Sequence, residues 1–494
     1  MSKYVLSLDQ GTTSTRAIIF DYDGKIVAMD QKELTQYYPI AGWVEHDPDE
    51  ICDSAVEVIR GVMKKSGLTA ADIAAMGITN QRETVIVWDK ATGAPVYNAI
   101  VWQCRRTANF MDKLKDSDRE PFIYAKTGLT CDAYFSASKL KWILDSVPKV
   151  RARAENGELL AGTVDAFLLW KLTGGKAHAT DYTNAARTML FNIHEKKWDA
   201  ELCSLFCVPE NILPEVHPSG YRYGVTEPSL FGGEIPICGL VGDQQSALFG
   251  QQCWKKGDIK NTYGTGCFLL MNTGDEAVSS TRGLLTTLSA CEDGKNPDYV
   301  LEGSVFVGGA AVQWLRDGLK LVASASETES LARSVNDTGG VYFVPAFVGL
   351  GAPHWDPAAR GLITGITRGT TREHIVRATL EAIAYQVFDV LHAMKRDLKA
   401  EVNAINVDGG ASANDFLMQF QADISAAVVR RPETIETTAL GAAYLAGLAA
   451  GYWKDREELD KAGKFTVFRP SMPEPKRREL LLGWEEAVAR TKVR

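Results

Sequence analysis

The sequence predicts an α/β protein built from two related domains. Near the start, the apolar run Tyr4-Val5-Leu6-Ser7-Leu8 leads into the polar turn Asp9-Gln10-Gly11-Thr12-Thr13-Ser14-Thr15, and Arg16 to Phe20 reads as a second strand. Far downstream, Asn261-Thr262-Tyr263-Gly264-Thr265-Gly266 stands before another apolar run, Cys267 to Met271. At 494 residues the chain exceeds one ordinary domain, so two or more cores are expected.

Taken in order, the first half opens with three strands, the third at Ile26-Val27-Ala28 after the turn Asp21 to Gly24. Asp47 then reads as an N-cap, with Pro48 at N1 and Glu50 at N3, a start like a capping box. Ile51, Ala55, Val58, Ile59 and Val62 follow at helical spacing. Ile73 to Ile78 and Thr84 to Trp88 return to strand. The second half repeats the scheme, with strand-like runs at 258–271, 283–290, 299–303 and 341–346 and helix-like runs at 309–322, 373–396, 414–428 and 438–450. The polar stretch around 250–258 reads as the linker, giving an N-terminal domain over 1–250 and a C-terminal domain over 251–494. Ala439 to Trp453 is too short and too rich in Ala and Gly for a membrane span and reads as a closely packed helix. The charged stretch from Pro470 reads as a surface helix with a frayed end.

Composition narrows the function classes. Hydrophobic content of 45% and charged content of 23% are those of a soluble globular enzyme. A net charge of −8 leaves no basic footprint for nucleic acid. Nine scattered cysteines without a Cys-x-x-Cys pair fit reduced thiols in a cytoplasm, and the start shows no signal peptide. No stable membrane association is expected.

The phosphate-handling motifs are unusual. There is no Gly-x-x-x-x-Gly-Lys-Ser/Thr loop and no Gly-x-Gly-x-x-Gly after a strand. The two Gly-Thr turns remain, and a tight turn of this kind offers backbone N–H groups and hydroxyls to anionic oxygens. One such turn in each half suggests two domains gripping one phosphate chain. Asp9 beside a phosphate would repel it unless a divalent cation lay between, which points to Mg²⁺ with an ATP-like ligand.

Three further stretches carry chemistry. Gly239-Leu240-Val241-Gly242-Asp243-Gln244-Gln245 places Asp243 at a strand mouth and a helix start. A carboxylate there can take the proton of a hydroxyl attacking ATP, or it can simply cap the helix. Gln81-Arg82-Glu83 follows a strand, and with Trp102 and Tyr134 could hold a polyol by charges and ring faces. Singly, each of these also fits a core aromatic or a surface ion pair. Asp408-Gly409-Gly410-Ala411-Ser412-Ala413-Asn414 turns from strand to helix and could admit a ribose or an α-phosphate.

Together these residues resemble the FGGY carbohydrate kinase family, within the actin/Hsp70/sugar kinase superfamily, over residues 3 to 485. The most specific segments are Asp9 to Arg16, Gly77 to Thr84, Asn98 to Arg106, Gly242 to Gly250, Asn261 to Phe268 and Val407 to Gln421. The segment Gly77 to Thr84, with Trp102 and Phe268, is similar to the glycerol-phosphorylating members rather than those acting on pentuloses. The resemblance implies two ribonuclease H-like (actin-like ATPase) domains with the active site in an interdomain cleft. The first domain would carry glycerol and the phosphate turn, the second the nucleotide. The implied reaction is ATP-dependent phosphorylation of glycerol to sn-glycerol 3-phosphate, the first step of glycerol catabolism. By position, Arg82, Glu83, Tyr134, Asp243 and Gln244 match the glycerol ligands, with Trp102 and Phe268 as the apolar wall. Thr12, Thr13, Ser14 and Arg16 match the phosphate turn. Thr265, Gly309, Gln313, Gly410 and Asn414 match the other nucleotide contacts. Asp243 matches the base and, with Asp9, a Mg²⁺ partner. A homodimer or homotetramer is implied.

Two alternatives stay open: a related kinase for another small polyol or dihydroxyacetone, and an ATP-dependent scaffold of the actin type. The stretch Pro228 to Glu234 has no cation where some family members bind fructose 1,6-bisphosphate, and Ser229 stands where others carry a regulatory histidine. Neither control is expected here.

Overall fold

The computed structural model describes residues 4–356, 358–399, 401–402, 404–459 and 465–492. The chain divides into two compact units. One comprises Met1–Gln252, Thr286–Tyr299 and Thr437–Ala462, the other Cys253–Leu285, Val300–Glu436 and Gly463–Arg494.

In the first unit, β1 (Tyr4–Gln10), β2 (Ser14–Phe20) and β3 (Ile26–Glu33) form an antiparallel meander. Helix α1 (Pro48–Ser66) follows, then β4 (Ile73–Asn80), parallel to β1, and β5 (Pro236–Gly242), parallel to β4. The sheet core therefore runs β3-β2-β1-β4-β5. Asp47 caps α1, accepting the Asp49 N–H at 2.9 Å, and Ile51, Ala55, Val58, Ile59 and Val62 are buried as their spacing predicts. The reciprocal half of the capping box does not form. Glu50 turns away and accepts instead from the Thr35 N–H and hydroxyl at 2.9 and 2.8 Å.

Successive side chains of β1 point to opposite faces, and both faces are buried. Leu6 and Leu8 join a core with Ile51 and Ile59 of α1. Val5 points the other way, to where Gly447 of the helix Thr437–Ala449 passes. That helix lies over β4 and β5 at Gly77 and Gly239 and against α2 (Asp243–Gly250), as closely packed as its composition predicts. A Cβ on Gly441 would lie 1.9 Å from the Ser246 carbonyl oxygen, so only glycine permits this approach.

The second unit repeats the plan. β6 (Ile259–Tyr263) and β7 (Cys267–Gly274) form a hairpin that resolves the strand-like run 258–271 into two strands. β8 (Tyr299–Val305), α3 (Gly309–Asp317) and α4 (Arg372–Leu398) follow. β9 (Ala404–Asp408) lies parallel to β6, α5 (Asp415–Ser425) comes next, and β10 (Val428–Pro432) lies parallel to β9. The order β8-β7-β6-β9-β10 matches that of the first unit strand for strand. Its core gathers Leu269, Leu301, Ile405 and Val429 from the sheet with Ile383, Val387 and Leu417 from the helices. The C-terminal stretch is a helix, Glu474–Thr491, whose Trp484, Ala487 and Val488 are buried. Its expected frayed end, residues 493–494, lies outside the described residues.

Candidate active site

The site in the first unit is assembled where β1, β4 and β5 end. β4 runs out at Asn80, and the chain turns sharply through Gln81-Arg82-Glu83-Thr84. The Thr84 N–H closes a three-residue turn on the Arg82 carbonyl at 2.8 Å, and Glu83 at its centre has φ 61°. A glutamate in the left-handed region is uncommon, and such strain collects at functional sites.

The turn leaves the neighbouring charges paired and gives each a second partner. The Arg82 Nε lies 3.3 Å from Asp243 Oδ1 and 3.8 Å from Glu83 Oε1, and Nη1 donates to Gln245 Oε1 at 3.1 Å. Glu83 Oε1 accepts from the Arg187 Nε at 2.6 Å. Arg82, Glu83 and Arg187 are 3%, 1% and 0% exposed, whereas the Asp243 side chain keeps 31% of its surface. Two buried guanidiniums therefore fix two carboxylates, one enclosed and one accessible.

Asp243 begins α2, and its Oδ1 accepts the Gln244 N–H at 2.7 Å. The preceding Gly242 N–H donates to Thr183 Oγ1 at 2.8 Å. Thr183 in turn donates to Asp181, which also accepts from Ser219 at 2.6 Å. The strand end before Asp243 is thus pinned from below.

Tyr134 and Trp102 meet edge to face, their ring centroids 5.4 Å apart. Arg187 lies 5.6 Å over the Tyr134 ring and 5.2 Å over Phe135. Lys139 is fully buried and donates to the Tyr134 and Phe135 carbonyls; burial draws its pKa down to about 7. Gln244 is buried beside Asp243 in sequence.

The β1–β2 turn is closed by the Gly11 N–H on the Ser14 carbonyl at 2.9 Å. Thr13 at its tip is exposed, Thr12 half-buried and Ser14 buried. Arg16 stands opposite Asp9 across the hairpin, Nε to Oδ2 3.9 Å, and Asp9 is 7% exposed.

In the second unit the β6–β7 turn is closed one residue tighter, Gly264 N–H to Gly266 carbonyl at 2.9 Å. A Cβ on Gly266 would sit 2.4 Å from the Val305 carbonyl oxygen, so the residue type there serves packing. The N-terminus of α3 is pressed on this turn. The Gly309 N–H donates to the Gly264 carbonyl, and those of Gly308 and Ala310 donate to Thr265. The Gly309 N–H is therefore committed to the turn, while Thr265 and Gln313 are exposed. Gly410 is exposed with open space around its Cα. Asn414 caps α5, accepting the Leu417 N–H at 3.0 Å and donating to Thr328 at 3.2 Å. Phe268 is half-buried on β7.

The sequence reading missed Arg187, Gln245, Thr183 and Asp181. Their polar types are ordinary, and only burial and partners distant in sequence mark them: Glu83 for Arg187, Arg82 for Gln245, Gly242 for Thr183 and Ser219 for Asp181.

A repeated sheet of this order, with a Gly-Thr hairpin opening each half and a strand-end aspartate beside a buried arginine, defines a phosphotransferase of the actin-like ATPase and sugar kinase fold. Models of the FGGY family of carbohydrate kinases match its N-terminal domain to residues 4–250 and its C-terminal domain to residues 259–450, and the chain belongs to that family. It is 61% identical over 491 residues to "Glycerol kinase" of Caldanaerobacter subterraneus subsp. tengcongensis, covering 99% of both chains. It is also 61% identical over 490 residues to "Glycerol kinase 2" of Thermotoga maritima, again covering 99% of both. Among solved structures, Plasmodium falciparum glycerol kinase with ADP is 37% identical, with a TM-score of 0.93 over 99% of this chain and 98% of that one.

Proposed function

We propose that this protein transfers the γ-phosphoryl group of ATP to a terminal hydroxyl of glycerol, giving sn-glycerol 3-phosphate. The observation that carries the reading is the pair of buried guanidiniums holding enclosed Glu83 beside accessible Asp243. Glycerol needs donors and acceptors on its hydroxyls and an apolar surface for its carbons. Arg82, Glu83, Gln244 and Tyr134 supply the first, and Trp102 the second, with Phe268 assigned to the same wall. The family and the names of its relatives support this choice.

Asp243 is assigned as base. Its carboxylate is oriented by Arg82 and by the Gln244 N–H. It aligns the attacking hydroxyl and takes its proton late in transfer. Thr12, Thr13, Ser14 and Arg16 are assigned to the transferring phosphate, and Thr265, Gly309, Gln313, Gly410 and Asn414 to the rest of the nucleotide. Gly309 would act by lack of bulk, since its N–H is already bonded. The domains 1–250 and 251–494 would divide acceptor from nucleotide.

No group of three or more His, Cys, Asp or Glu side chains among the described residues is placed to hold a metal. Mg²⁺ bound with phosphate needs only one or two carboxylates, and Asp9 and Asp243 are the ones that would hold it. Its contribution when bound is to neutralise charge on the phosphate oxygens.

No helix among the described residues is long and apolar enough to cross a membrane, and all nine cysteines are free thiols, which fits a reducing cytoplasm. A homodimer or homotetramer is the expected assembly, to be read by light scattering.

The deciding experiment is ADP release with Mg-ATP and glycerol, dihydroxyacetone, xylulose, ribulose, erythritol or no acceptor. Fast turnover with glycerol, ahead of dihydroxyacetone, is expected. Activity only with a longer polyol would overturn the pocket assignment, and equal slow hydrolysis in every tube would overturn the kinase reading. Asp243→Asn should lower kcat by on the order of 10²–10⁴ while calorimetry still detects glycerol binding. Near-normal turnover would remove Asp243 as base.

A further inference from the structure

A closed ring of hydrogen bonds joins the β1–β2 turn to the aromatic wall. The Gln81 N–H donates to the Gln10 carbonyl at 2.8 Å, and Gln81 Nε2 donates to the Gly11 carbonyl and to Gln10 Oε1, both at 3.1 Å. On its other side, Gln81 Oε1 accepts from the Thr84 hydroxyl at 2.9 Å. Thr84 Oγ1 accepts from the Trp102 backbone N–H at 3.2 Å. The Trp102 indole N–H then donates to Thr12 Oγ1 at 2.9 Å, which returns the ring to the residue after Gly11. Gln81 is 2% exposed, and Gln10 and Thr84 are fully buried.

The polarity of the ring has a direction. A hydroxyl has one proton to donate and two lone pairs to accept with. Thr84 spends its proton on Gln81 and takes the Trp102 N–H on oxygen. Thr12 takes the indole N–H on oxygen, which leaves its own proton available to an acceptor at the turn. Behind Gln81, His46 Nδ1 lies at 3.3 Å, and burial pulls this histidine down to about 4, so it adds no charge at neutral pH.

We propose that Gln81 and Thr84 are positioning residues that fix Trp102 at a set distance from the Gly11–Thr13 turn, registering the acceptor against the phosphoryl group. The inference rests on the functional reading above. In-line transfer needs the reacting atoms about 3–3.5 Å apart, and a displacement of about 1 Å can cost on the order of 10²-fold in rate. Buried, mutually satisfied polar groups are a rigid means of holding such a distance.

The test compares Thr84→Val, Thr84→Ser and the full-length parent for glycerol-dependent ADP formation, KM for Mg-ATP, glycerol affinity and Tm. Val keeps the shape and removes the hydroxyl, and Ser keeps the hydroxyl. Thr84→Val should lower kcat about tenfold or more while KM for Mg-ATP changes less than about twofold; Thr84→Ser should recover most of the rate. Trp102→Phe, which keeps a ring and deletes the indole N–H, opens the ring at its far side. It should also lower kcat, and it serves if Thr84→Val does not fold. Wild-type kcat in Thr84→Val, or in Trp102→Phe where that variant stands in, overturns the proposal, as do equal losses of rate and Tm in the Val and Ser variants. A parent protein silent with glycerol overturns the functional reading instead, and this inference with it.

Discussion

Asp165 and Asp181 are both fully buried, and burial together with their mutual repulsion pushes the Asp165 carboxyl up to about 7. The Thr163 and Thr180 hydroxyls donate to it, at 2.5 and 2.6 Å, and oppose that rise without cancelling it. The sign of the consequence follows from linkage. The folded state holds a proton on Asp165 between the ordinary aspartate pKa of 3.8 and about 7, while the unfolded chain has released it. The associated stability is complete below 3.8 and is lost as pH rises through about 7. Asp165→Asn lacks this titration. The Tm of the variant minus that of the parent should therefore rise between pH 5 and pH 8, and each pKa unit is worth about 1.4 kcal/mol, enough to resolve in melts. A difference constant with pH would show that Asp165 is ionised throughout. Asp165 was invisible as a titrating group in the sequence; only the structure shows it at the start of the apolar helix Val164–Leu172, buried beside Asp181. Asp243 was legible because an apolar run ending in Gly-Asp exposes its geometry. Its partner Arg82 was legible as a charge, but not as the link to Asp243, because that contact joins positions 161 apart. Arg187 was not legible at all: the neighbouring Arg82 and Glu83 read as one pair, and the pair forms, but the Glu83 carboxylate also takes the closer Arg187 guanidinium, 104 positions away.

Among the elements, the strands and long helices were legible because both faces of each central strand are apolar and because helix periodicity survives local irregularity. α1 shows how far this reaches. Its buried stripe and Asp47 cap follow from spacing, but Glu50 chose a tertiary partner at Thr35 over the local capping bond. The helix Thr437–Ala449 shows the limit. Its small residues announce close packing, yet nothing local names the partner. In the structure the partners are β4, β5 and α2, with Gly441 directly over the Ser246 carbonyl. Gly441→Ala adds a methyl group where the backbone of α2 already lies, and α2 carries Asp243 at its first position. The expected loss is about 1–3 kcal/mol from overpacking, read as a lower urea midpoint with an unchanged slope. An unaltered midpoint would mean that α2 and the neighbouring helix can part without cost.

At the scale of the molecule, the repeated order β3-β2-β1-β4-β5 and β8-β7-β6-β9-β10 is what the two Gly-Thr turns foretold. The chain path was less legible, because composition marks a linker but not which segments return to an earlier core. Residues 286–299 return to the first unit, and so do residues 437–459. The latter cover β4 and β5 on the face opposite α1, at Gly77 and Gly239, where side chains too small to shield the sheet leave the task to the incoming helix. A fragment ending at residue 252 would expose that face. It should bind a hydrophobic dye and melt without cooperativity, since exposed apolar sheet surface of this kind drives association. The ends to be joined lie close together: Gln251 Nε2 is 3.4 Å from Thr437 Oγ1, and a Cβ on Gly250 would fall 2.2 Å from the Thr437 carbonyl oxygen. A short Gly-Ser linker from 252 to 437 should therefore restore a cooperative melt and suppress dye binding in the fusion of 1–252 with 437–459. If the fragment 1–252 melts cooperatively by itself, the first sheet does not depend on the returning helix, and the split near residue 250 is a folding boundary as well as a boundary in sequence.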